Sequence, residues 1–155
     1  MKKLFLIPIL CVFLLSCSKT TFSGEIKTIN GSDLEKKINS NQNKVLIVDF
    51  FATWCPPCQA EIPGFVELYD TYKSQSVEII GVSVDTGGKK LVANFASKNG
   101  MNYPIYIATP DVSRKYGIRG IPDTRIYGPN GKLAKRHIGF KSKEVFESEI
   151  KELLK

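Results

Sequence analysis

The sequence predicts an α/β domain in which a central mixed β-sheet carries helices on both faces. Two apolar runs, Lys44 to Phe51 and Val77 to Val84, are nearly continuous, the pattern of strands covered on both sides. Around them lie segments with apolar residues at helical spacing, so strands and helices alternate. The last third closes differently: Thr124 to Tyr127 and Lys132 to Ile138 flank Gly128-Pro129-Asn130-Gly131, with a helical pattern behind. Asn-Gly favours positive φ angles, so these segments form a β-hairpin.

In chain order, Glu25 to Ile29 reads as an edge strand. Ser32-Asp33-Leu34-Glu35 fits a capping box, with Ser32 and Glu35 satisfying free N–H groups at the start of a helix ending near Asn39. Lys44 to Phe51 belongs at the centre of the sheet. A helix from Pro56 to about Lys73 then sets Ile62, Phe65, Val66, Tyr69 and Tyr72 on one face. Pro56 and Pro57 cost little in a first turn, whose N–H groups lack intrahelical acceptors. Pro63 deletes the bond to the Gln59 carbonyl and predicts a kink. After the strand Val77 to Val84, Lys89 to Lys98 forms a helix with Leu91, Val92 and Phe95 inward and Gly100 as its stop. Ile105 to Ile107 predicts a short strand and Asp111 to Tyr116 a helical turn. Ser142 starts the last helix, burying Val145, Phe146, Ile150 and Leu153.

The chemistry concentrates in Trp54-Cys55-Pro56-Pro57-Cys58, where the central strand hands over to its helix. Two cysteines three positions apart at a helix start place one thiol where backbone N–H groups converge and a thiolate is favoured. Such a pair can cycle between dithiol and disulfide. A structural zinc site needs four ligands, and only His137 adds a soft donor, so no metal site is expected. A purely structural disulfide closing so small a loop removes little chain entropy. The strand-then-helix setting favours redox chemistry over either use.

The other two cysteines sit in a different context. Residues 1–16 run from Met-Lys-Lys through the apolar stretch Leu4 to Leu15 to the small Ser16, a secretory signal peptide rather than a membrane span, so Cys11 is lost on processing. Leu14-Leu15-Ser16-Cys17 resembles a bacterial lipobox, in which Cys17 leads the mature chain and carries lipid. Several acyl chains, at about 0.8 kcal/mol per buried CH₂, make a lasting anchor. The alternative is a plain signal peptide with Cys17 a spare thiol; both place the folded part outside the cytoplasm. Residues 17–24 are then lipidated cysteine and tether, and residues 25–155 a single domain without Gly/Ser-rich linker or repeat. The formal charge of +7 loses Lys2 and Lys3 with the signal, and the remaining Lys and Arg are scattered among acids. That distribution gives nucleic-acid binding no support.

The order of strand, Cys-x-x-Cys helix, strand, helix, Gly-Ile-Pro, hairpin and helix resembles the thioredoxin fold over residues 25 to 155. More narrowly, Phe51-Ala52-Thr53-Trp54-Cys55-Pro56-Pro57-Cys58-Gln59-Ala60-Glu61-Ile62-Pro63 is similar to the TlpA and ResA group of membrane-tethered, extracytoplasmic thiol-disulfide oxidoreductases. The strand-helix segment around residues 77 to 100 is similar to that group's insertion. The resemblance implies Cys55 as exposed nucleophile, Cys58 as more buried resolving thiol, and no cofactor beyond the Cys55–Cys58 disulfide. It implies protein disulfides as substrates, apocytochrome c among them, and a membrane thiol transporter as electron source. Direction is not written in the spacing. Pro56 and Pro57 bear on it: neither has an N–H, leaving Cys58 as the main backbone donor to Cys55, which predicts a less acidic thiol than in strongly oxidising relatives, and so a reductant.

Two acids are candidate proton acceptors for Cys58. Asp49 stands where thioredoxins carry a buried aspartate, and Glu61 completes the Cys-x-x-Cys-x-x-Glu-x-Pro pattern of the narrower group; a desolvated carboxyl has a raised pKa suited to that task. A solvated strand-end aspartate and a glutamate complementing the helix dipole are the plainer readings. Pro122 in Gly120-Ile121-Pro122 matches the cis-proline loop facing the thiols, where Ile121 would offer its backbone to a client chain like a neighbouring strand. Trp54, Pro56, Pro57, Ile121 and Pro122 thus make up the expected substrate-binding surface. Asp123 and Arg125 depart from the group, which has Thr and an apolar residue there; the charges either tune partner choice or mark a more exposed strand, and the second reading is preferred. His137 is expected to face solvent. The competing functions are a peroxiredoxin-type thiol peroxidase, whose topology is shared but whose Thr-preceded cysteine in a Pro-rich loop is absent, and a non-catalytic partner-binding module.

Overall fold

A computed structural model describes residues 24–155. The expected signal peptide, Cys11, Cys17 and all of the tether except Gly24 lie outside the described residues. The elements are β1 (Lys27–Ile29), α1 (Gly31–Ser40), β2 (Val45–Phe51), α2 (Pro56–Tyr72), β3 (Val77–Ser83), α3 (Gly88–Lys98), β4 (Ile105–Ala108), α4 (Pro110–Lys115), β5 (Asp123–Tyr127), β6 (Leu133–Ile138) and α5 (Lys143–Leu153). The strands order as β1-β4-β3-β2-β5-β6. The first four lie parallel, while β5 runs antiparallel to β2 and β6 to β5. This is the mixed sheet of a thioredoxin fold.

Every residue of β2 is buried, as its continuous apolar run requires. Its side chains alternate between two cores. Val45, Ile47 and Phe51 join the cluster built with α2, α3 and α5, whereas Leu46, Val48 and Phe50 join the cluster under α1 and α4. The same period aims Asp49 at the α2 face, beneath the cysteines. Gly81 of β3 is its parallel partner in the ladder.

Several local expectations shift. The cap of α1 is Asn30, whose side chain accepts from the Asp33 N–H at 2.9 Å, not Ser32. The helix starts earlier because the Gly31 N–H is satisfied by Asp111 Oδ2 at 2.8 Å, a partner far away in sequence. In α3 the buried positions are Val92 and Ala96, with Phe95 packed against the core and Leu91 exposed. In α5 they are Phe146 and Ile150, with Leu153 partly buried and Val145 exposed. Helix α2 continues through the exposed Pro63 without interruption.

Candidate active site

The loop from β2 to α2 is clamped from both ends. The Phe51 carbonyl accepts from the Val84 N–H at 2.9 Å. Asp85, 5% exposed, then accepts from the Thr53 N–H at 2.8 Å, from Thr53 Oγ1 at 2.7 Å and from Ser83 Oγ at 2.7 Å. Gln59 Nε2 reaches back from the first turn of α2 to the Thr53 carbonyl at 2.7 Å. The segment carrying Trp54 and Cys55 is therefore fixed to β3 and α2 together. Asp85 and Thr53 escape sequence reading because each is an ordinary loop residue until the other is placed beside it.

Cys55 is the N-cap of α2 and is bonded to Cys58, with S–S 2.05 Å and Cα–Cα 5.3 Å. The Cys58 N–H donates to Cys55 Sγ at 3.2 Å, while the Gln59 N–H is taken by the Cys55 carbonyl. Cys58 is thus the backbone donor that the Pro-Pro dipeptide leaves. Cys55 is 3% exposed and Cys58 1%, so Cys58 is the more buried of the two as expected, but in the disulfide Cys55 is not exposed: its side chain turns inward to Cys58, whose sulfur it bonds and whose N–H it caps. Pro56 and Pro57 are exposed around it. Trp54 is 67% exposed and stands out from the surface beside the motif, not in the core.

Beneath the disulfide lie two buried carboxyls. Asp49 is 1% exposed, and the only bond to its carboxyl among the described residues is a long one, 3.4 Å, from Thr124 Oγ1. Burial first, then the charge of Glu61, push its pKa well above the usual carboxylate range. Glu61 is 4% exposed and accepts from the Lys141 N–H at 2.6 Å. Burial raises its pKa to about 7, against the opposing pull of that N–H and of the Lys141 charge. Asp49 is not the solvated strand-end group of the plainer reading, and Glu61 is buried at its place on the helix. Glu61 also lines an open cleft of about 250 Å³ with Gly64, Phe140 and Lys141, so it touches both the core and the surface.

The Ile121–Pro122 peptide bond is cis. Antiparallel pairing of Asp123 with Phe50 brings this loop to the end of β2 from which the cysteine motif departs. Ile121 packs against the cluster containing both cysteines, and its N–H and C=O stay out of the backbone hydrogen bonds among the described residues. Pro122 is held from behind, its carbonyl accepting from the Gly139 N–H at 2.8 Å.

Two expectations next to this loop are corrected. Asp123 and Arg125 do not mark an exposed strand: they are 0% and 7% exposed. Asp123 accepts from Arg125 Nε at 3.1 Å and from Arg136 Nη2 at 2.7 Å, and Arg125 lies over the Phe50 and Tyr116 rings. Opposite charges meeting across the hairpin make the burial tolerable. His137 does not face solvent either. Its Nε2 is 2.9 Å from Glu149 Oε2, and its ring stands edge-on to Phe146.

The arrangement is an oxidised dithiol pair at a helix mouth, with an acid of near-neutral pKa on its inner side and an unpaired backbone strip beside it. The profile of the AhpC/TSA family matches residues 19–136. The thiol-disulfide oxidoreductase ResA of Geobacillus thermodenitrificans is 36% identical over 127 residues, covering 79% of this chain and 72% of the relative. The ResA protein of Bacillus subtilis is 30% identical over 142 residues, covering 84% and 79%. Among solved structures, a thioredoxin-family thiol:disulfide interchange protein from Chlorobium tepidum superposes with a TM-score of 0.69 at 34% identity, covering 75% of this chain and 83% of that one. The chain belongs to the AhpC/TSA family, and within it to the ResA-type thiol-disulfide oxidoreductases.

Proposed function

We propose that Cys55 and Cys58 carry the thiol-disulfide exchange of this family and that the protein reduces disulfides of client proteins outside the cytoplasm. The observation that carries the reading is a Cys55–Cys58 bond at the N-cap of α2 with Glu61, poised near neutrality, three residues further on. In the reduced protein the Cys55 thiolate attacks one sulfur of a client disulfide. A mixed disulfide forms and the client's other sulfur leaves as a thiolate, which takes up a proton. Cys58 then gives its proton to the Glu61 carboxylate, with Asp49 behind it, and attacks Cys55 Sγ. The client's second sulfur leaves and is protonated. Two electrons have passed to the client, whose two thiolates take their protons from water, the Cys58 proton rests on Glu61, and the protein holds the disulfide.

The client chain lies along Ile121 as an added strand, with Trp54, Pro56 and Pro57 on its other side. The residues at these positions support the reading: among the described residues nothing bonds the Ile121 backbone groups, and the other three are exposed. By similarity to the TlpA and ResA group, the clients are proteins such as apocytochrome c, and a membrane thiol transporter returns the electrons. The Leu14-Leu15-Ser16-Cys17 pattern supports a lipid anchor in a bacterial cell envelope.

Trapping tests all of this together. Cys58→Ala is expected to accumulate mixed disulfides on Cys55 that reducing agent releases, and Cys55→Ser to abolish insulin-disulfide reduction. A Cys58→Ala protein that traps no client, with a wild type that consumes hydrogen peroxide as fast as it exchanges disulfides, would shift the assignment to a peroxidase. Unchanged insulin reduction in Cys55→Ser would remove Cys55 from the chemistry.

A further inference from the structure

Tyr103, on the segment between α3 and β4, is a side chain that the exchange scheme leaves idle. It is 1% exposed and its hydroxyl has no hydrogen-bond partner in the part of the chain that the structure describes. Among the described residues only four buried side-chain polar atoms share that condition, and two of the others are Asp49 Oδ2 and Glu61 Oε2. The fold places all three groups on one side of the sheet. Gly81 is the ladder partner of Asp49, and a Cβ on Gly81 would stand 3.4 Å from Tyr103 Cε2 and 3.1 Å from Phe51 Cε1. The tyrosine ring therefore takes the space a side chain on β3 would use, on the face toward which Asp49 points. From α2 the ring is flanked by Phe65 at 6.4 Å and Tyr69 at 6.2 Å, centroid to centroid. The charges of Asp49 and Glu61 both act on its hydroxyl.

Packing alone does not account for this residue. A phenylalanine would fill the same ring space and bury no polar atom, whereas a buried hydroxyl without a partner destabilises the fold. Burial and the two acids raise the phenol's pKa well above its ordinary value, so it stays a donor throughout the working pH range. Three buried, unpartnered polar atoms on one side of the sheet form the kind of setting in which an enclosed water finds its partners.

We propose that Tyr103 is a positioning residue for the proton of Cys58: its hydroxyl, keeping its own proton, donates through an enclosed water to Asp49 and Glu61, so that the two carboxyls hold the Cys58 proton between them. Glu61 then passes that proton out through the cleft it shares with Phe140 and Lys141. The idea rests on the reading that the two carboxyls receive the Cys58 proton. The groups facing the cluster are Asp49 from β2, Asp123 and Thr124 from β5, Glu61 and the two cysteines from α2, and Lys141 from the loop before α5. Asp123 is already neutralised by Arg125 and Arg136, which leaves the carboxyl pair and Lys141 to set the titration.

The test uses the full chain, reduced, reacting with excess oxidised glutathione from pH 5 to 9 and followed by the fluorescence of its single tryptophan, Trp54. Tyr103→Phe is compared with Glu61→Gln, Asp49→Asn and wild type. Losing a donor to a carboxylate makes that carboxylate harder to form, so Tyr103→Phe is expected to move the midpoint of the rate profile upward by about half a pH unit or more. The infrared C=O band of the protonated carboxyls is expected to shift to higher frequency in the same variant. A Tyr103→Phe profile and band identical to wild type would overturn the role of Tyr103, while Glu61→Gln and Asp49→Asn still shifted would leave the carboxyl reading intact. Profiles unchanged in all three variants would overturn both.

Discussion

At the scale of single residues, Cys55 reactivity is set by a cap that is half missing. An N-cap acceptor ordinarily receives N–H groups from the second or third helical residue. Here the second is Pro57 and only the third, Cys58, donates, at 3.2 Å. A Cys55 thiolate is therefore less stabilised than the helix mouth allows. Pro57→Ala restores the missing N–H and is expected to lower the Cys55 pKa by about one unit, since hydrogen bonds to charged groups are worth roughly 1.5–3 kcal/mol and one unit is about 1.4. The reduction potential should become more oxidising in step. Thiolate absorbance against pH, with redox equilibration against glutathione, checks both; an unchanged pKa would show that Cys58 alone sets it. Glu61 supplies the complementary expectation. Below its pKa of about 7 it is protonated and cannot accept from Cys58, so the wild-type resolution rate rises through neutrality. Glu61→Gln should lose that rise, being slower by about 10²-fold above pH 8 and close to wild type below pH 6. Stopped-flow decay of a preformed mixed disulfide measures it.

At the scale of elements, two buried aspartates tie the reactive loops to the sheet. Asp85 holds Thr53 by two bonds and Ser83 by a third, so Asp85→Ala strands the buried Ser83 hydroxyl and the half-buried N–H and hydroxyl of Thr53. A cost of about 2–4 kcal/mol in denaturant unfolding is expected, together with loss of the fixed Trp54 environment in fluorescence. Asp123 does the same for the cis-proline loop. Asp123→Asn leaves Arg125, 8% exposed at its side chain, without its compensating charge, and should cost about 3–5 kcal/mol. These ties mark the boundary of what the sequence shows. The Cys-x-x-Cys helix start, the central strand and the Gly-Ile-Pro loop are legible because their signals lie within a few residues. Asp123, Arg125 and His137 are misread as surface because the groups that cover them, Arg136, Tyr116 and Glu149, arrive from other elements. The Leu91 and Val145 errors are of another kind. In a short amphipathic helix a large apolar residue on the boundary can face either way, and packing against the sheet, which admits the small Ala96, decides.

At the scale of the whole molecule, the fold accepts a stability cost at its site. The strand that must be apolar on both faces carries Asp49, and the helix lying on it carries Glu61 on its inner side, so two acids share one interior. Both pKa values are raised, so the folded chain keeps protons that the unfolded chain has released. By linkage, stability then falls as pH rises. For Glu61 the loss begins near the unfolded value of 4.5 and is complete above its folded value of about 7; Asp49 extends the same trend to higher pH. Asp123 works in the opposite sense, since its lowered pKa adds stability that disappears in acid as the carboxyl is protonated through its depressed value. For these three groups the two trends balance below about pH 4.5, where Glu61 has not begun to cost stability, and so below the pH at which the exchange chemistry is fastest. Allowing for the cleft that partly solvates Glu61, removing its ionisation is worth about 2 kcal/mol at pH 8 and close to nothing at pH 4. Glu61→Gln should accordingly unfold at higher temperature than wild type at pH 8 and at the same temperature at pH 4. A constant offset between the two proteins across that range would mean that Glu61 has the same pKa folded as unfolded, and that the exchange reaction takes its near-neutral proton acceptor from elsewhere.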